Sequence, residues 1–270
     1  MKLSIVLSTH AAKFQAVAYK GDFEQNVAKI ASYGFDGVEP AVRDPGLVDH
    51  DGLIAAVAEH GLEIPAIGTG QAWGEEHLSF TDPDPQVRQR AIDRIASHVP
   101  LAKSAGALVI IGLVRGIIQE GVSESQAREW MYSGFKSCVE IAGREGVRIA
   151  FEPLNRYETQ LLNTARESLE LIDRVGADNL GLLLDTFHMN IEEPSIEQSI
   201  KLCGDRIFHF HVADSNRWYP GAGHLDFRRI LETLFSTGYA GFVSGEFMAV
   251  PDADTAARKG IAHLRDLGIE

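Results

Sequence analysis

Cysteine is almost missing from this 270-residue chain: Cys138 and Cys203 stand far apart, with no CxxC spacing. A disulfide scaffold is therefore not expected, and a reducing compartment is. Basic residues are also in deficit, 25 Lys and Arg against 38 Asp and Glu, for a net charge of −13. A surface of that sign repels a phosphate backbone, which argues against a nucleic-acid partner. No apolar run approaches the roughly 18 residues of a membrane-spanning helix. The run in the opening MKLSIVLSTH is too short for a secretory signal, so no membrane association and a cytoplasmic location are expected. Low-complexity segments are absent. So is a glycine-rich phosphate loop after the first apolar run, where STHAAKF stands instead, and this counts against an open dinucleotide-binding sheet.

What is present is a regular alternation. Apolar residues make up 45% and charged residues 23%, ordinary for a globular protein. Eight short apolar runs cover residues 3–8, 37–42, 63–68, 108–114, 147–153, 180–186, 207–213 and 242–247. Runs that are apolar throughout, rather than alternating, suit parallel strands covered on both faces. Amphipathic stretches lie between them, for example 22–33, 85–105, 123–144, 164–175 and 226–236. Asp22, Ser123 and Thr164 stand at N-cap positions, and Gly34, Gly61, Gly106, Gly146, Gly176 and Gly238 just past helix ends. Eight strand–helix units predict an α/β fold, a single (β/α)8 TIM barrel over residues 1–270, close to the ~250 residues typical of that architecture.

In such barrels the working residues project from the C-terminal ends of the strands. Run five closes on Glu152, run six on Asp185, run seven carries His209 and His211, and run eight closes on Glu246. Three carboxylates converging in one mouth repel one another, and burying even one unpaired carboxylate is costly. A divalent cation removes the repulsion. Three carboxylates and one imidazole suit Mn²⁺ or Mg²⁺, with Co²⁺ allowed and Zn²⁺ ranked lower. Asp185, before Thr186, also reads as a helix N-cap. His209 shares the facing of His211 two residues away and is the alternative ligand; His211, nearer the mouth, is preferred, and His209 reads as a packed barrel histidine.

FEPLNRYE, LLLDTFHMNIEE, HFHVADSNRWYPGAGHLDF and the final GEF together resemble the D-tagatose 3-epimerase group of metal-dependent ketose epimerases, within the xylose isomerase-like barrels. AVRDP, AIGTGQA and ALVIIGLVRG look like its 5-keto-L-gluconate epimerase branch. The resemblance places the family's metal ligands on Glu152, Asp185, His211 and Glu246, and for that ligand set Mn²⁺ is the first expectation, with Mg²⁺ or Co²⁺ allowed. It places the acid/base pair on Glu152 and Glu246, and substrate contacts on Glu158, His188 and Arg217. It also implies a homo-oligomer, a dimer or tetramer. The chemistry would be removal of a proton beside a ketone and its return to the opposite face. A metal would act as Lewis acid for the enediolate charge, and His188 and Arg217 would add donors.

Arg115 ends run four and is placed at the mouth, where a guanidinium could grip a carboxylate through two parallel hydrogen bonds; pairing with an acidic loop residue is the plainer reading. Arg43 is a second candidate. With the branch resemblance, Arg115 favours a keto-sugar acid, 5-keto-L-gluconate going to D-tagaturonate. The alternatives are a neutral ketose 3-epimerase of the D-tagatose, D-psicose or L-ribulose type, a hydroxypyruvate isomerase and an inosose-dehydratase-like lyase. An endonuclease IV type of barrel needs more ligands and a basic face. Trp73, Trp218 and Tyr219 are candidates to wall the pocket.

Overall fold

The computed structural model describes residues 1–268. Its strands are β1 (Lys2–Ser8), β2 (Tyr19–Lys20), β3 (Gly37–Ala41), β4 (Ala66–Ile67), β5 (Leu108–Ile111), β6 (Ile149–Phe151), β7 (Leu180–Asp185), β8 (Ile207–Val212) and β9 (Phe242–Gly245). Its helices are α1 (Phe23–Ser32), α2 (His50–Glu59), α3 (Gln71–Glu76), α4 (Pro85–Ala105), α5 (Glu124–Arg144), α6 (Ala165–Val175), α7 (Thr186–Glu192), α8 (Ile196–Cys203), α9 (Phe227–Ser236) and α10 (Ala253–Asp266). All pairings are parallel, in the order β1-β9-β8-β7-β6-β5-β4, with β3 on the other side of β1. Bridges Gly37–Glu63 and Ala41–Gly68 join β3 to the β4 segment and close the ring. The two-residue β2 adds a short edge beside β1 that the apolar pattern does not announce.

The burial pattern explains why the runs are apolar throughout. Leu3, Ile5 and Leu7 join the large core cluster with Val27 and Ile30 of α1, so one face of β1 packs on the helical shell. Val6, between them, packs with Val17 and Ala41 and lines the central cavity. Ala66, Leu108, Ile110, Ala150 and Leu183 form a second inner cluster. A parallel strand needs apolar side chains on both faces because one faces helices and the other the barrel interior.

Helix ends follow local chemistry. Ser123 caps α5 through Gln126 N–H, and Thr164 and Glu167 form a reciprocal capping box at the start of α6. Asp22 departs from expectation. It precedes α1 in a left-handed conformation (φ 42°), and its side chain makes no capping bond. The strands also end earlier than the apolar runs do. Glu152 and Glu246 lie one residue past β6 and β9, where their N–H groups still donate to Ile111 and Val212 carbonyls, 3.1 and 3.3 Å. The last ladder bonds thus aim both carboxylates into the mouth.

Candidate metal centre

β7 and β8 pair Asp185 with His211, and β8 and β9 pair His211 with Ser244, which sets the ligand residues at one height. His211 Nδ1 lies 4.0 Å from Glu152 Oε1, 3.9 Å from Asp185 Oδ2 and 4.0 Å from Glu246 Oε2. One donor atom from each of the four lies within 4.8 Å of the others. Glu152 Oε1, Asp185 Oδ2 and His211 Nδ1 are buried without a hydrogen-bond partner. Buried polar atoms are almost always satisfied, so three orphans facing one another fit a cation with hard oxygen and imidazole ligands. Both readings of Asp185 hold: Oδ1 caps α7 by accepting from Phe187 N–H at 2.7 Å, which leaves Oδ2 for the centre.

His209 turns away from the centre, and its partner settles which histidine ring faces it. Glu39, 1% exposed in the middle of β3, accepts from His209 Nε2 at 2.7 Å and from His211 Nε2 at 3.0 Å. A carboxylate only accepts, so both rings carry their proton on Nε2, and the Nδ1 of His211 is the atom presented to the centre. Burial pushes the Glu39 carboxyl up, but the two imidazoles beside it hold it well below the usual carboxylate range. Burial disfavours the charge on His211 too, yet Glu39, Glu246 and Glu152 raise it to about 10. Without a cation, His211 is an imidazolium that partly neutralises the acidic cluster.

The two glutamates lie on different strands of the wall. Burial, then the nearby Glu246 charge, pushes Glu152 well above the usual range. Burial raises Glu246 to about 7, against the pull of His211 and Arg217. Gly112 makes room for Glu152, since a Cβ there would sit 2.7 Å from Glu152 Oε2.

Around them stand the substrate-contact candidates. Arg217 donates to Glu158 Oε1 at 2.8 Å and Glu246 Oε2 at 3.3 Å, its guanidinium lying over the rings of Phe14 and Phe187. Its left-handed backbone (φ 61°) is held by Asp214, whose carboxylate accepts from Ser215, Gly221 and Leu225 N–H groups. His188 is buried and held neutral by burial, with Arg217 and Arg115 adding to the effect. Asn155 fixes its tautomer. Tyr157 N–H donates to Asn155 Oδ1 at 3.0 Å, so the amide nitrogen faces His188 Nδ1 at 2.7 Å. Nδ1 accepts, and the proton therefore sits on Nε2, 3.9 Å from Glu152 Oε1.

Glu152, Glu158, His188, His211, Arg217 and Glu246 all line one cavity of about 270 Å³; Asp185 lies behind it. Arg115 does not line it. Its guanidinium is fully buried, over the Phe151 ring at 4.7 Å, and donates to the Leu162 carbonyl. Burial lowers it to about 9, with Glu152 and Glu158 pulling the other way. The strand ends at Ile111, and residues 113–115 turn into a short helix that carries the side chain away from the cavity. Arg43 is engaged by Glu75 and Glu76. The cavity's aromatic wall is Phe14, while Trp73, Trp218 and Tyr219 lie outside its lining.

Glu39, Asn155 and Gln71 carry no signal at a strand end. Glu39 is a charged residue inside an otherwise apolar run, GVEPA, and a mid-strand carboxylate that must find buried partners was the available clue.

Comparison with known proteins agrees with this architecture. A family model described as a xylose isomerase-like TIM barrel matches residues 27–267. An L-ribulose 3-epimerase of Mesorhizobium japonicum is 32% identical over 266 residues, 97% of this chain and 87% of that protein. A solved L-ribulose 3-epimerase structure superposes with a TM-score of 0.84 at 26% identity, over 99% of this chain and 94% of that one. A 3-keto-D-glucoside 4-epimerase from E. coli shares the fold, with a TM-score of 0.83 at 24% identity over 98% and 100% of the two chains.

Proposed function

The chain belongs to the xylose isomerase-like TIM barrel family, and from that premise we propose that it is a divalent-metal-dependent epimerase of a neutral ketose. One observation carries the reading: Glu152 and Glu246 face one cavity from separate strands, each 4.0 Å from the unpartnered Nδ1 of His211. Glu152, Asp185, His211 and Glu246 would hold the metal, with Mn²⁺ the first choice. When bound, the cation supplies Lewis-acid stabilisation of negative charge on substrate oxygen.

The remaining chemistry belongs to side chains. One glutamate takes the proton from the carbon beside the ketone, and the other returns one to the opposite face. In the metal-free site burial favours the protonated form of both carboxyls. His188 offers a neutral Nε2–H, and Arg217 a charged donor, to the oxygen where negative charge develops. Arg217 also bonds Glu158 and Glu246, which ties substrate contact to the placement of one acid/base group.

Two observations favour a neutral ketose over the keto-sugar acid 5-keto-L-gluconate. Arg115 is buried away from the cavity, and Arg43 is committed to two glutamates. Besides Arg217 and the His211 ring at the metal centre, the cationic side chain on the cavity lining among the described residues is Lys13, which is exposed. Glu75 shares the lining, with its carboxylate paired to Arg43.

The test is a panel of neutral ketoses and keto-sugar acids, followed by NMR in D₂O with added Mn²⁺. The expected result is turnover of a neutral ketose with deuterium entering beside the ketone. Exclusive turnover of 5-keto-L-gluconate would refute the substrate assignment. Normal turnover and normal deuterium incorporation in Glu246→Gln would remove that glutamate from proton transfer.

A further inference from the structure

Across the barrel from β8 stands β4, and α3 begins four residues after it with Gln71. Gln71 lines the same cavity, is 5% exposed, and carries a buried side-chain oxygen with no hydrogen-bond partner. The orientation of its amide is fixed by what lies behind it. The Ser8 hydroxyl donates to the His10 carbonyl at 2.8 Å, so toward Gln71 it has only a lone pair to offer. Gln71 Nε2 donates to that oxygen at 2.8 Å. Rotating the amide would set two acceptors against each other, so Oε1 is the end left over.

Nearby residues do not supply a donor. The Thr69 hydroxyl is spent on the Ile110 carbonyl at 2.7 Å. Glu75 is itself an acceptor, filled by His10, Arg43 and the backbone N–H of Lys13. A buried, unpartnered amide oxygen on a residue that lines the cavity calls for a donor from the occupant. A sugar hydroxyl provides one and a carboxylate does not.

We propose that Gln71 is a specificity-determining residue: its Oε1 accepts a hydrogen bond from a substrate hydroxyl remote from the reacting carbon. This rests on the neutral-ketose reading and deepens it, because it makes the distal end of the substrate an alcohol-bearing one. A carboxylate there would oppose lone pair to lone pair. Discrimination comes from leaving a buried acceptor unpaired when the hydroxyl is missing.

The experiment compares a ketohexose with its 4-, 5- and 6-deoxy analogues, using metal-loaded wild type and Gln71→Met. Wild type is expected to lose about tenfold in kcat/KM on one of the three analogues, mainly through KM. In Gln71→Met that analogue and the parent sugar should be turned over about equally. If wild type treats all four sugars alike, the proposal fails whether or not the variant folds. It fails equally if a discriminated analogue stays discriminated by the same factor in the variant. Failure of the underlying reading looks different: wild type would then turn over none of the neutral sugars and would accept a keto-sugar acid.

Discussion

Replacing Glu39 by glutamine changes one buried oxygen to an amide nitrogen and leaves every proposed ligand in place. Glu39 accepts from two imidazole nitrogens at 2.7 and 3.0 Å, at a site 1% exposed. Glutamine offers one acceptor and one donor, so one N–H of the two rings meets another N–H. Relief comes from moving a ring or shifting a proton, and a shift on His211 puts hydrogen on Nδ1, the atom aimed at the metal. Outer partners of this kind are typically worth about 10–100-fold in metal affinity, or roughly 1.4–2.8 kcal/mol. The assay is calorimetric titration of chelator-stripped protein with Mn²⁺, with circular dichroism to confirm the fold. The expected result is a Kd raised by about one to two decades. If Kd moves by less than about threefold, well under the outer-partner range, while His211→Ala abolishes binding, Glu39 does not orient the ligand and the tautomer reasoning is wrong.

Gly112→Ala should retain the fold but weaken Mn²⁺ binding and turnover by at least about tenfold, because the new Cβ would sit 2.7 Å from Glu152 Oε2 and displace it; unchanged metal affinity by titration would refute this. Asn155→Leu removes the shorter of two donors to His188 Nδ1 and leaves the Asn155 backbone N–H at 3.3 Å, so it should weaken the Nδ1 hydrogen bond, visible as a changed ¹⁵N shift of that nitrogen, and lower kcat by up to about 100-fold; an unchanged ¹⁵N shift would show that the side-chain amide does not hold the ring. Metal uptake should release protons. His211 is raised to about 10 and Glu246 to about 7 in the metal-free protein, and a cation competes with those protons. Affinity should therefore climb as pH rises toward 10, more steeply below 7, where Glu246 is also protonated. Calorimetry in buffers of different ionisation enthalpy counts the protons, and a count of zero at neutral pH would refute the assignment.

Much of the site was legible because barrel topology turns strand order into neighbourhood. Once residues 147–153, 180–186, 207–213 and 242–247 are read as consecutive strands, Glu152, Asp185 and Glu246 share one mouth with His211, the preferred of the two histidines on run seven. Glu39 escaped that logic because it works from mid-strand, across the barrel interior, on residues about 170 positions away in the chain. Arg115 escaped it in the other direction. Its place at the end of an apolar run points to the mouth, whereas the chain bends at Gly112 into a turn that buries the side chain over Phe151.

By itself the sequence determined the kind of fold and pointed to three carboxylates and one of two histidines as the proposed ligands. Apolar runs of strand length between amphipathic helices leave few topologies open, and local patterning is carried by neighbours in the chain. Which nitrogen of His211 faces the centre, which amide atom of Gln71 is left without a partner, and whether Arg115 lines the cavity were decided only by tertiary structure. Each depends on a single hydrogen bond or ring contact between residues far apart in the chain, and one-residue differences in where a strand stops redirect those side chains completely.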